Sequence, residues 1–206
     1  MARLSYADFD SLTAEFAGPL KVIEASNGYI PNSYRILAHR PAILRAFMDL
    51  SKAVIRDEGE LDRGFRFLVA YISSSAAGCQ FCQVHNIQSA AKWGVTDERL
   101  NAVWEYETSD LFTEGEKAAF DLARAASVTP NAVDDATFER LRGYWSEPQI
   151  VEMLSVVSLF GWLNRFNDTL NTALEDGTMG WATDFDLATK TGWNPENHMP
   201  DPALQS

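Results

Sequence analysis

Apolar residues recur along this chain at the spacing of helices. From Leu61 they fall at Leu61, Phe65, Leu68, Val69, Ile72 and Ala76, one stripe of an α-helix. Ile43, Leu44, Phe47 and Leu50 make a shorter stripe behind Pro41, whose fixed φ suits a first helical turn. Thr113-Glu-Gly-Glu116 and Ser146-Glu-Pro-Gln149 have the pattern of capping boxes, in which each end's side chain satisfies the other's backbone N–H. The second opens a segment, Ile150 to Phe166, that is apolar on nearly every side, which predicts a helix in the middle of a bundle. Turn signals separate the pieces, at Asn27-Gly28, Ile30-Pro31-Asn32, Asp57-Glu58-Gly59, Trp93-Gly94, Thr129-Pro130-Asn131 and Asp176-Gly177. No stretch keeps a period of two with Val, Ile and Thr enrichment, so the expected fold is all-α. It comprises a helical domain over residues 1–176 and a tail over 177–206, rich in Trp, Asp, Asn and Pro, packed on it.

Composition narrows the function. With 206 residues the chain is one ordinary domain, long enough to bury a core without staples. Its 29 acidic and 17 basic side chains give a net charge of −12, which repels nucleic acid and anionic membrane surfaces, and no run of Lys and Arg offsets it. The first ten residues lack the apolar core of a signal peptide, and Ile150 to Phe166 is too short and too polar to span a bilayer. A cytoplasmic location is the simplest expectation. Two cysteines exclude a multi-disulfide scaffold.

Those two cysteines carry the chemistry, in Cys79-Gln-Phe-Cys82-Gln-Val-His85. At about 100° per residue, Cys79, Cys82 and His85 share one face of a helix opening after Gly78, with Cys82 in the middle. First-turn N–H groups and the positive end of the helix dipole favour a thiolate, and an imidazole one turn on is a base or counter-ion. Thiolate, partner thiol and base make up a dithiol redox centre. Two other readings of the same residues remain: buried small side chains, or a zinc site completed by His39 or His198. A thioredoxin-like motif is disfavoured because such a motif follows a strand.

The stretch Ser74-Ser-Ala-Ala-Gly-Cys-Gln-Phe-Cys-Gln-Val-His85 resembles the helix junction of the carboxymuconolactone decarboxylase superfamily, in its AhpD-like (alkylhydroperoxidase D-like) peroxidase-related branch. The resemblance extends through Gly28-Tyr-Ile-Pro-Asn32, His39-Arg-Pro41, Leu111-Phe-Thr-Glu-Gly-Glu116, Asn164-Arg-Phe-Asn-Asp168 and Gly192-Trp-Asn-Pro-Glu-Asn-His198. It implies an all-helical homo-oligomer that reduces hydroperoxides through its thiols, and a disulfide substrate, reduced by dithiol–disulfide exchange, is equally open. Cys82 would attack the peroxide, Cys79 would resolve the sulfenate, and an external dithiol would restore both. His85 would serve as base, and neither a cofactor nor a metal is implied. The superfamily's decarboxylases act on a lactone acid without this cysteine pair, so such an activity is the alternative. A non-catalytic redox sensor is a further one.

The chain departs from that pattern twice. The peroxidases usually place histidine at the position of Asn86, one residue beyond His85, and their relay glutamate belongs on the turn occupied by Arg66-Phe67. Tyr106 or Glu107, in Trp104-Glu-Tyr-Glu-Thr-Ser109, are candidate substitutes for that carboxylate, and Ser74, Ser75 and Asn86 are candidate supporting residues. The Asn164, Arg165, Asn167, Asp168 cluster on an apolar helix suggests an internal hydrogen-bond network or an oligomer contact. His39 reads as a helix-end residue and His198 as exposed.

Overall fold

The structure, a computed structural model, describes residues 2–9, 12 and 14–200, so the end of the expected tail, 201–206, lies outside the described residues. Among these it is all-α and contains no strand. The chain runs through α1 (Ala14–Asn27), α2 (Asn32–Leu37) and α3 (Pro41–Ser51), which continues into a π-helical turn, Lys52–Arg56. It then forms α4 (Arg63–Ala76), α5 (Gln80–Lys92), α6 (Asp97–Ala102), α7 (Glu114–Ser127), α8 (Asp135–Arg142) and α9 (Glu147–Leu170). Beyond residue 176 come α10 (Asp176–Asp184) and α11 (Leu187–Thr191), then a 3₁₀ turn at Glu196–His198.

Local chemistry sets these boundaries. Pro41 sits in the first turn of α3, and Asp62 caps α4 by accepting from the Phe65 N–H at 3.1 Å. Both capping boxes form: Thr113 and Glu116 exchange bonds at the start of α7, as do Ser146 and Gln149 at the start of α9. Gly78, at φ +78°, turns the chain from α4 into α5 with a conformation that side chains resist.

The centre of the bundle is α4, not α9. Every residue from Gly64 to Ser74 is buried, and α4 packs against α5, α7 and α9. The 24-residue α9 keeps Val151 and Trp162 63% and 40% exposed. Together with Ile43 and Leu50 of α3 they line an apolar groove of about 620 Å³. An all-apolar sequence therefore marks a helix with a buried face and an open apolar groove. Two buried serines of α4 find partners on neighbouring helices: Ser73 Oγ accepts from Ser127 Oγ at 2.8 Å, and Ser74 Oγ accepts from Asn86 Nδ2 at 3.1 Å.

The C-terminal segment closes over the start of α5. Trp193 Nε1 donates to the Gln80 carbonyl at 2.9 Å, and α10 packs along α5. His198 is 1% exposed, contrary to the exposed position expected from the sequence. Its Nδ1 lies 2.9 Å from the Thr172 carbonyl, and its own carbonyl accepts from the Leu174 N–H at 2.8 Å. These bonds tie the chain end to the 172–174 stretch, which is why a histidine so near the terminus is buried. Burial lowers its pKa, outweighing the Thr172 carbonyl and Asp168.

Candidate active site

Cys79 is the N-cap of α5, and its sulfur accepts from the Cys82 N–H at 3.4 Å. Cys79 is fully buried and Cys82 is 2% exposed, and both are free thiols. Only Cys82 lines the adjoining cavity, of about 130 Å³. From α5 that cavity also takes His85, Asn86, Ser89 and Lys92, and from its C-cap Trp93, one helical stripe running from the sulfur to the end of the helix. Tyr34, Phe47, Phe67, Phe81 and Phe160 give it aromatic walls.

Burial opposes the thiolate that a first helical turn favours. Burial pushes the Cys82 thiol well above its ordinary value, and the neighbouring Cys79 pushes it further. Asn167, from α9, works in the opposite direction: its Nδ2 donates to the Cys82 sulfur at 3.6 Å. Asn167 of the Asn164–Asp168 cluster thus contacts Cys82, where the sequence suggested a network or an oligomer contact. Asn164 and Asn167 are 3% and 1% exposed.

His85 does not approach the sulfurs as a free base. Its Nδ1 lies 2.9 Å from the Phe81 carbonyl and its Nε2 lies 2.8 Å from Glu175 Oε2. An imidazole donating at Nδ1 can also donate at Nε2 only when protonated, so the arrangement fits an imidazolium–carboxylate pair. Burial alone would pull the His85 pKa down, but the charge of Glu175, its hydrogen bond and the Phe81 carbonyl outweigh it, and the net shift is upward. The ring stacks on Phe81 with centroids 4.3 Å apart.

Glu175 is the residue that sequence reasoning missed. Its Oε1 accepts from the Asn32 N–H at 2.5 Å, and Asn32 Nδ2 donates to the Ala173 carbonyl at 2.9 Å, so the start of α2 holds the loop that carries it. Thr178 Oγ1 lies 3.4 Å from Glu175 Oε2 and 2.7 Å from the Tyr29 hydroxyl, which donates to Gln88 Oε1 at 3.2 Å.

The other expected residues lie elsewhere or play smaller parts. Tyr106 donates to Asp121 Oδ1 at 2.7 Å and Glu107 pairs with Arg124 at 2.5 Å, so neither folds back over the cysteines. Asn86 lines the cavity and ties α5 to Ser74, whereas Ser75 donates to the Tyr71 carbonyl at 2.8 Å. His39 Nε2 lies 2.9 Å from the Ser5 carbonyl, away from the thiols. Among the described residues no group of three or more His, Cys, Asp or Glu is placed to hold a metal ion. No helix among them is long and apolar enough to cross a membrane. On the turn of the missing relay glutamate, Phe67 forms cavity wall and Arg66 is buried against Glu152, Nε to Oε1 at 2.5 Å.

An all-helical domain with a thiol pair at the mouth of one helix defines a class, and the comparisons agree with it. Residues 41–125 match the Carboxymuconolactone decarboxylase family, to which this part of the chain is similar. The uncharacterized protein YnjA of Escherichia coli (strain K12) is 32% identical over 117 residues, a match spanning 56% of this chain and 64% of YnjA. The debrominase Bmp8 is 26% identical with a TM-score of 0.80, over 88% of this chain and 96% of Bmp8. One Bmp8 structure is of a cysteine-to-alanine variant in complex with 2,3,4-tribromopyrrole. The AhpD core of an uncharacterized peroxidase-related protein from Ralstonia eutropha JMP134 shares the fold, with a TM-score of 0.77 at 23% identity over 86% of this chain and 94% of that one.

Proposed function

We propose that this protein is a thiol-dependent oxidoreductase of the AhpD-like kind, in which Cys82 reduces a hydroperoxide and Cys79 resolves the product. The observation that carries this reading is the asymmetry of the pair: Cys82 faces the cavity beside His85, while Cys79 lies behind it with its sulfur on the Cys82 N–H. In the first step the Cys82 sulfur attacks the distal peroxide oxygen, the O–O bond breaks, and the thiol proton ends on the departing alcohol or water. His85 lines the cavity and its Nε2 meets Glu175 Oε2 at 2.8 Å, and in this reading the pair supplies charge beside the reacting sulfur. Cys79 then attacks the sulfenic sulfur, the S–O bond breaks, water leaves and a disulfide remains. An external dithiol returns both cysteines to thiols by exchange.

A second reading has its own support in the likeness to Bmp8. A two-electron reduction of a brominated ring would use the same thiols: Cys82 takes the bromine, the ring carbon takes a proton, and Cys79 displaces bromide to leave the disulfide. The aromatic walls of the cavity suit a flat ring, and an engineered protein cavity of about 150 Å³ accepts benzene.

The test is a stopped-flow titration of the reduced protein with hydrogen peroxide, cumene hydroperoxide and 2,3,4-tribromopyrrole, with Cys82→Ser and Cys79→Ser alongside. The proposal expects loss of two thiols per equivalent of peroxide in the wild type and none in Cys82→Ser. In Cys79→Ser a sulfenate should persist, trapped by dimedone. Thiol loss with the bromopyrrole alone selects the second reading. Indifference to all three reagents overturns both.

A further inference from the structure

The cavity that ends at Cys82 is cationic at its outer end. Its wall includes Arg56, Arg63 and Lys92 and no Asp or Glu, in a chain with 29 acidic and 17 basic residues. The Arg63 guanidinium lies over the Trp93 ring, 4.0 Å from the centroid, and donates to the Arg56 carbonyl. The carboxylates of this region are engaged elsewhere: Asp57 pairs with Lys52 at 2.7 Å, and Glu15 with Arg45. Arg56, Arg63 and Lys92 take part in none of the ion pairs among the described residues. The sequence contains no basic run here. The π-helical turn, the start of α4 and the last turn of α5 bring the three charges together.

The same stripe of α5 that carries Cys82 carries Lys92 ten residues later, about 15 Å along the axis before the lysine side chain folds back. Between them the walls are aromatic and aliphatic, from Tyr34, Phe47, Phe67, Phe160 and Leu163. We infer that the cavity binds an elongated organic carboxylate, its charged end held by Arg56, Arg63 and Lys92 and its apolar, reactive end at Cys82. This assigns the substrate class of the thiol site and so rests on the proposed thiol chemistry, but the anion site itself is testable without it. Guanidinium and ammonium groups make charge-assisted contacts with a carboxylate, and no carboxylate of the cavity wall competes for them.

The experiment uses matched pairs. 4-Isopropylbenzoate and its neutral amide differ only at the charged end and cannot oxidise a thiol. Their binding to Cys82→Ser protein, read by Trp fluorescence and calorimetry, is expected to favour the acid by about tenfold or more, with the preference falling as salt rises. Lys92→Gln and Arg63→Gln should each remove most of that preference. Lys92 is exposed, so its variant keeps the test open should Arg63→Gln fail to fold. Cumene hydroperoxide and its para-carboxylate then test the chemistry on the wild type, where the carboxylate is expected to oxidise the thiols faster at equal concentration. Equal binding of acid and amide, or a preference that Lys92→Gln and a folded Arg63→Gln leave intact, overturns the anion site whatever the thiols do. Binding of the acid with thiols inert to both hydroperoxides keeps the anion site and sinks the thiol reading instead.

Discussion

Glu175 Oε2 lies 2.8 Å from His85 Nε2 across ninety residues of sequence, and this contact joins the C-terminal segment to the helix that bears the thiols. The two side chains are 9% and 16% exposed, so solvent screens the pair weakly. Because the folded pKa of His85 is raised above its ordinary 6.5, the pair's stabilisation is fully present below that value and is lost as pH rises through the raised one. Glu175→Gln should cost about 1–3 kcal/mol near pH 6 and clearly less near pH 9. Urea denaturation of both proteins across that range measures the difference. A cost independent of pH would show that His85 is not charged in the folded protein.

Cys82 gives a kinetic counterpart. Since burial holds its thiol well above the ordinary value, alkylation by iodoacetamide should accelerate about tenfold per pH unit from 6 to 9 without levelling off. Asn167 stabilises the anionic sulfur through its 3.6 Å contact, so Asn167→Ala should slow alkylation at pH 7.5 by about three- to tenfold. Mass spectrometry of the Cys82 peptide against time checks both. An early plateau would mean that the thiolate is already formed.

Arg66 stands where the family's relay glutamate belongs, yet its role is structural. Its guanidinium is buried, donates to the Leu61 and Asp57 carbonyls at 2.9 Å each, and pairs with Glu152. Glu152 Oε2 in turn accepts from the Glu60 and Leu61 N–H groups at 2.7 and 3.2 Å, locking the loop before α4. Arg66→Ala leaves that carboxylate buried without its cation and should cost about 3–5 kcal/mol in urea denaturation. A loss below about 1 kcal/mol would place the pair outside the fold's essential contacts.

The sequence carried what is local and hid what is distant. The stripe from Leu61, the Pro41 start and both capping boxes were legible because helix periods and caps depend on neighbours within a turn or two. Cys79, Cys82 and His85 were legible for the same reason. Glu175 was not, since nothing in Leu174-Glu175-Asp176 distinguishes it from an ordinary acidic helix start, and only the docking of 172–178 onto α2, the turn before it and α5 gives it a role. Val151 and Trp162 misled in the other direction: apolar periodicity cannot tell a face buried in the core from an apolar face left open in a groove. The upward shift of the Cys82 thiol was also beyond reach, because a helix N-terminus favours a thiolate while burial, which only the fold sets, opposes it.

Phe67 bounds the cavity on the turn where the family resemblance predicts a relay carboxylate, and its ring forms part of the wall. It is 9% exposed, at the rim of the core, and a Leu there shortens the wall without introducing charge. Phe67→Leu should cost about 1 kcal/mol of stability while opening the cavity, which holds about 130 Å³ in the wild type. Reaction with hydrogen peroxide, which already fits, should change less than twofold, and reaction with cumene hydroperoxide should rise several-fold. The measured quantity is the ratio of the two second-order rate constants for thiol loss, which cancels any common change in Cys82 acidity. A ratio equal to that of the wild type would mean that Phe67 does not limit what reaches the sulfur.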